Sequence, residues 1–139
     1  KMVEENIKNV TDVICFDMLD GFPFENNTTA LVIADLCLHY FTKEDTIRIL
    51  KEIKRILVNN GHLIFRVNSI NDINHGAGIG KEVELHLYMT GDGRYKRFFD
   101  YGEIYEYFNM FDIKYVREYV MDRYRALKKL YVGYGKNRK

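Results

Sequence analysis

Residues 28–67, TTALVIADLCLHYFTKEDTIRILKEIKRILVNNGHLIFRV, change their apolar period twice, and those changes decide the fold. ALVIADLCL (30–38) is a nearly continuous apolar run, the pattern of a strand covered on both faces, as in a parallel sheet. The period then becomes helical. Ile47, Leu50, Ile53 and Leu57 recur on one face, Thr42 stands as N-cap, and Glu44 and Asp45 sit in the positively polarised first turn. Lys51, Lys54 and Arg55 populate the later turns, and Asn59-Asn60-Gly61 offers residues that accept the left-handed conformation at a helix end. HLIFRV (62–67) is a strand again. A strand–helix–strand unit of this kind joins parallel neighbours by a right-handed crossover.

Working outward, KMVEENIKN (1–9) reads as the last turns of a helix, with Met2, Val3 and Ile7 on one face. TDVICF (11–16) reads as a short buried strand, and MLDGFPFENNTT (18–29) as a loop with turn chemistry at Asp20-Gly21, Pro23 and Asn26-Asn27. Residues 68–99 are mostly polar, glycine-rich loop. YGEIYEYFNMF (101–111) is spaced as a helix, with Ile104, Tyr107 and Phe108 on one side. DIKYVREYV (112–120) and LKKLYVGYG (127–135) read as a final antiparallel pair of strands. The fold class is therefore α/β, in a chain whose 139 residues make one domain by length.

Composition narrows the function. Apolar residues at 47% and charged residues at 29% are those of a globular protein, and eleven Tyr with nine Phe favour a packed core. Cys15 and Cys37 each lie in an apolar run and read as buried free thiols, with no disulfide framework or zinc site. His62, His75 and His86 lack metal-site spacing. No apolar segment reaches the roughly 20 residues that span a membrane, and nothing reads as a signal peptide, so the expected compartment is the cytoplasm. Net charge is +1, yet residues 117–139 hold eight Lys/Arg against Glu118 and Asp122. That basic end reads as a solvated hairpin and tail. It lacks the interleaved aromatic and basic groove of a nucleic-acid surface.

Gly76-Ala77-Gly78-Ile79-Gly80 has the G-x-G-x-G spacing of a nucleotide-binding loop. Such a loop must leave a buried parallel strand and open a helix, so that backbone N–H groups and the helix dipole meet the ligand. Here eight polar, turn-prone residues, Asn68 to His75, separate it from HLIFRV. KEVELHLYM, which follows, alternates as readily as it turns helically. The expected role is a loop over a substrate, and no cofactor site is assigned to it.

Three segments in order resemble the class I S-adenosylmethionine-dependent methyltransferases: VICFDMLDGFPF, the 28–67 unit with its Leu-His-Tyr-Phe, and NNGHLIFRVNSIND. The resemblance implies a Rossmann-like sheet. It implies that Asp17 accepts a hydrogen bond from the adenine amino group, with Met18 beside the ring, and that Ala34, Asp35 and Leu36 line the methionine part of the cofactor. Asn59-Asn60 departs from the family's usual Pro-Gly-Gly turn and keeps only Gly61. RYKRFFDYGEIYEYF is similar to the small-molecule branch that includes tellurite-resistance-type enzymes, so a small-molecule acceptor is implied. His39 and Tyr40 sit at the crevice mouth as catalytic candidates. His39 is either a general base or a packing residue, since methyl transfer to a good nucleophile needs mainly alignment. Asn68 and Ser69 are candidate substrate-pocket residues. Arg94, Lys96 and Arg97 either meet an anionic substrate or belong to a solvated loop.

The family's first strand, its acidic-x-G-x-G-x-G loop and the ribose-binding carboxylate of its second strand have no counterpart in these 139 residues. In the family's strand order, 3-2-1-4-5-7-6, their absence leaves TDVICF about 14 Å from ALVIADLCL, where paired strands lie about 4.8 Å apart. Three arrangements are then expected: a fragment of a longer polypeptide, a partner chain or strand-exchanged homodimer filling the gap, or TDVICF moved against ALVIADLCL. Cofactor affinity in the chain alone is expected to be weak or absent. Two functions follow, the C-terminal portion of a methyltransferase or a non-catalytic remnant that binds a partner or dimerises.

Overall fold

The structure is a computed structural model that describes residues 12–139. The helical reading of residues 1–9 lies outside the described residues. Strand β1 (Thr29–Asp35), helix α1 (Lys43–Ile56) and strand β2 (Leu57–Asn68) form the expected unit, with β1 and β2 parallel in the register Ile33↔Ile64 and Asp35↔Arg66. Thr42 caps α1 by accepting from the Asp45 N–H at 3.2 Å. The helix ends at Ile56, and Asn60 takes the left-handed conformation (φ +63°) inside the irregular start of β2.

Strands β6 (Asp112–Met121) and β7 (Lys128–Lys136) form the expected antiparallel pair, and β7 also runs antiparallel to β2. The resulting sheet has the order β1-β2-β7-β6. That is the 4-5-7-6 end of the order which the resemblance implied.

One face of this sheet carries the core. Leu63, Phe65 and Val67 of β2 are fully buried against Ile49, Leu50 and Ile53 of α1 and against Ile104 and Phe108. Burying a side chain of this size is worth about 1.5–3 kcal/mol each. Phe65 stacks on Phe108 at 4.0 Å between centroids and lies flat over Gly133 of β7. A Cβ on Gly133 would fall 2.0 Å from Phe65 Cζ. The chain end locks onto the same layer. Asn137 donates from Nδ2 to the Lys54 and Leu57 carbonyls, which the end of α1 leaves unpaired, and to the Val58 carbonyl of β2, and accepts from Lys54 Nζ at 2.9 Å.

Two expectations are corrected. Asp12–Phe16, the described part of TDVICF, forms no strand and lies exposed, so Cys15 is an exposed thiol and not the buried one expected, while Cys37 is half-buried. An extended segment without a neighbour has no ladder to join, and the neighbours that the family order requires are absent from the described residues. Residues 68–99 are also not mainly loop. They hold a second sheet of three short antiparallel strands, β3 (Lys81–Glu84), β4 (Leu87–Met89) and β5 (Tyr95–Arg97), in that order. Helix α2 (Tyr101–Tyr107) is shorter than its apolar pattern. Its start is fixed by a capping box in which Asp100 accepts from Glu103 N (2.7 Å) and Glu103 accepts from Asp100 N (3.0 Å).

Gly133→Ala should drive Phe65 off its rotamer. Urea unfolding is expected to show a loss of about 1–3 kcal/mol. An unchanged midpoint would show that Phe65 does not lie on Gly133.

Candidate cofactor and acceptor site

The candidate site collects at the C-terminal ends of β1 and β2, where ligands bind in open α/β sheets. β1 ends at Asp35, and Leu36 turns the chain away in the left-handed conformation (φ +53°) while donating its N–H to the Arg66 carbonyl at 3.1 Å. A leucine held at positive φ is a strained position, sustained by the packing and pairing on either side. Ala34 is buried in the core. Asp35 takes both ends of the Arg66 guanidinium across the parallel pair, Nε to Oδ1 and Nη2 to Oδ2. Arg66 therefore holds the Asp35 carboxyl below the usual carboxylate range.

His39 is 3% exposed, and its backbone carbonyl accepts from Arg97 N at 2.7 Å, tying the segment after β1 to β5. Its ring lies 4.4 Å from that of the exposed Tyr40. Nδ1 of His39 is buried and without a hydrogen-bond partner among the described residues. Burial, then the ammonium of Lys128, then that of Lys96, lower the imidazole pKa to about 3. At neutral pH the ring is thus neutral and a poor proton acceptor, which favours the packing side of its two readings.

Asn68 and Ser69 lie buried at the end of β2. Asn68 Oδ1 accepts from Lys128 Nζ at 3.0 Å, and that ammonium also meets Asp72 Oδ2 at 2.8 Å. Ser69 donates to Glu118 (2.5 Å) and accepts from Asn71 N (3.0 Å). The hydrogen bonds of both residues are internal. Arg97 is likewise spent inside the protein, paired with Glu84 and donating to the Phe41 and Leu85 carbonyls. Glu84 accepts in turn from Lys43 N, so this pair clamps the second sheet onto the start of α1.

Asp17 and Met18 sit apart from these residues. Asp17 is exposed and caps a short 3-10 turn, Met18–Asp20, by accepting from Leu19 N at 2.9 Å through Oδ1. Met18, half-buried, lines a cavity of about 320 Å³ with Gly21, Arg48 and Glu52. No described cavity joins Met18 to Ala34, Asp35 or Leu36.

The glycine loop follows a 3-10 turn (Ile73–His75) and leads into β3, not into a helix. Gly76, Gly78 and Gly80 all have positive φ, which accounts for their choice over other residues. The buried charges Asp72 and Lys128 and the half-buried Glu84 were not singled out from the sequence, because their partners lie on distant elements and no local pattern marks them. His86, Asp100 and Glu103 bring three donor atoms within 4.8 Å. His86 Nδ1 lies 2.8 Å from Glu103 Oε1, and the two carboxylates serve the α2 capping box, so this cluster is accounted for as structure.

The methyltransferase-domain family model matches residues 1–65. Among solved structures, a S-adenosylmethionine-dependent methyltransferase from Methanosarcina mazei superposes with a TM-score of 0.71 at 16% identity, over 86% of this chain and 64% of that one. A possible histamine N-methyltransferase from Thermotoga maritima gives 0.66 at 18% identity, over 99% and 69%. The 1,6-didemethyltoxoflavin-N1-methyltransferase of Burkholderia thailandensis, solved with its substrate and S-adenosylhomocysteine, gives 0.63 at 18% identity, over 83% and 46%. No curated protein matches the chain. The fold is that of the class I S-adenosylmethionine-dependent methyltransferases, as the sequence resemblance implied. The chain spans about two-thirds of the Methanosarcina protein and less than half of the Burkholderia one. No helix among the described residues is long and apolar enough to cross a membrane.

The His39 imidazole links stability to pH. The unfolded chain takes up its proton near pH 6.5, the native chain only near 3. Stability is therefore complete above 6.5 and falls as the pH drops from there toward 3. This group alone should remove about 2 kcal/mol between pH 7 and pH 5. Urea titrations at both pH values should show that loss in the parent chain and a smaller one in His39→Gln. Equal losses would mean that His39 titrates normally in the fold.

Proposed function

We propose that the chain is the C-terminal portion of an enzyme that transfers a methyl group from S-adenosylmethionine to a small-molecule acceptor. The sheet order β1-β2-β7-β6, with β1 and β2 parallel and their C-terminal ends side by side, supports this reading. The residues present fit one end of the cofactor. Oδ1 of Asp17 accepts from Leu19, leaving Oδ2 without a partner among the described residues and able to accept from an exocyclic amino group, while the thioether of Met18 suits an aromatic face. Asp35 and Leu36 would stand beside the methionine moiety. The residues that grip phosphate-free ribose in this family, an acidic-glycine loop and a second carboxylate, have no counterpart among the described residues.

When bound, S-adenosylmethionine supplies an electrophilic methyl group. The part left to this chain is alignment, which well-oriented reactants turn into a large rate advantage without a dedicated base. Tyr40, held against the neutral ring of His39, forms a wall of the crevice. Arg66 keeps Asp35 ionised and in place. Asn68 and Ser69 act on a substrate only indirectly, by fixing the end of β2 through Lys128 and Glu118.

A second reading, a remnant that dimerises by strand exchange or binds a partner chain, is favoured by one observation. β1 has no neighbour on its outer side among the described residues, and Leu31 (46%) and Ile33 (63%) are exposed there. Unpaired apolar edges of this kind recruit strands.

Calorimetry with S-adenosylhomocysteine separates the two. The chain 1–139 should give no saturable heat at about 100 μM ligand. A longer polypeptide in which an acidic-x-G-x-G-x-G strand precedes Lys1 should bind in the micromolar range, and Asp17→Asn should weaken it about tenfold. Micromolar binding to 1–139 alone would contradict the incomplete site. No binding to the longer polypeptide would leave the remnant.

A further inference from the structure

Beyond the end of β1 lies a cavity of about 440 Å³ framed by Tyr40, Arg94 and Tyr95. That volume suits a small ligand. Its two sides come from different elements. Tyr40 follows His39 at the end of β1, and Arg94 and Tyr95 belong to the β4–β5 hairpin. The 2.7 Å bond from Arg97 N to the His39 carbonyl fixes these sides relative to one another. The hairpin turn is itself well tied: Thr90 N donates to Arg94 O at 2.8 Å, Gly93 N to Thr90 O at 2.9 Å, and Arg94 N to Thr90 Oγ1 at 3.3 Å. Neither wall therefore depends on a loose loop.

The lining has one chemistry. Tyr40 and Tyr95 are 49% and 37% exposed, so each offers part of its ring to an incoming group. The cation is Arg94, whose guanidinium is 81% exposed and meets Asp92 only loosely, at 3.4 Å. Lys96, next in β5, is not part of the lining. Its ammonium donates to the His75 carbonyl at 2.6 Å and makes no ion pair among the described residues. Two aromatic faces favour a planar ligand. A guanidinium fork favours a carboxylate, which it can hold in two parallel hydrogen bonds. Asp92 beside Arg94 disfavours a doubly charged group, since a dianion would meet its repulsion.

We infer that this cavity binds a planar aromatic monocarboxylate, its ring against Tyr40 and Tyr95 and its carboxylate at Arg94. As the acceptor subsite of a methyltransferase it rests on the function proposed above. As a binding site it stands on its own and needs no cofactor.

The probes are benzoate, its neutral analogue benzamide and its non-aromatic analogue cyclohexanecarboxylate, each titrated into the chain and followed by the ring resonances of Tyr40 and Tyr95. Benzoate should saturate both in the millimolar range, with the two analogues at least about fivefold weaker. Arg94→Gln should weaken benzoate about fivefold or more and leave benzamide unchanged. Tyr95→Leu should weaken benzoate and benzamide alike. The inference fails if benzoate gives no saturable shift at these rings, if benzamide binds as well as benzoate, or if Arg94→Gln leaves benzoate unaffected. Such a failure would leave the S-adenosylhomocysteine result, and the methyl-transfer reading with it, intact.

Discussion

The molecule depends first on Phe65. Its ring lies on the bare backbone of Gly133 and under Phe108, so a single side chain joins β2, β7 and the segment that closes α2. Because Gly133 offers no Cβ, the sheet can approach closely enough there for the aromatic layer to seat against α1 and α2. Once that layer is fixed, β2 sits between β1 and β7, and the C-terminal ends of β1 and β2 lie side by side.

Charge ties the elements around these strand ends together. Arg97 with Glu84, Lys128 with Asp72 and Asn68, and Arg66 with Asp35 each bridge elements distant in sequence. Of these, Lys128–Asp72 is buried on both sides, where losing one partner leaves an uncompensated charge and is strongly destabilising, while Arg66–Asp35 is exposed and contributes little on its own. The pairs are better understood as fixing where the second sheet and the β6–β7 hairpin dock. His39 feels the result: buried, with the ammonium groups of Lys128 and Lys96 outweighing the carboxylate of Asp72, it stays neutral and packs against Tyr40.

The β1–α1–β2 unit was legible in the sequence because its apolar period changes sharply and Thr42 marks the helix start. The final hairpin was legible for the same reason, through alternation in 112–120 and 127–135. TDVICF looked like a strand because β-branched residues suit one, but a strand also needs a neighbour, and sequence pattern alone does not supply it. The second sheet escaped notice because its strands are three or four residues long and their turns include His86 at positive φ. Arg97 showed as an exposed basic candidate, whereas the fold buries it, since its partner Glu84 lies across a hairpin that the sequence did not announce. Lys128 and Asp72 are 56 positions apart, and only the fold brings them together.

The proposed function makes this chain the rear of a methyltransferase sheet, open along β1. Amide hydrogen exchange on 1–139, at a concentration dilute enough to keep the chain monomeric, tests it most directly. Amides of β1 that face β2 should exchange slowly, while those on alternate positions and throughout 12–16 should exchange within minutes. Uniform slow exchange along β1 together with protection of 12–16 would mean that the chain closes its own sheet, and would contradict the claim.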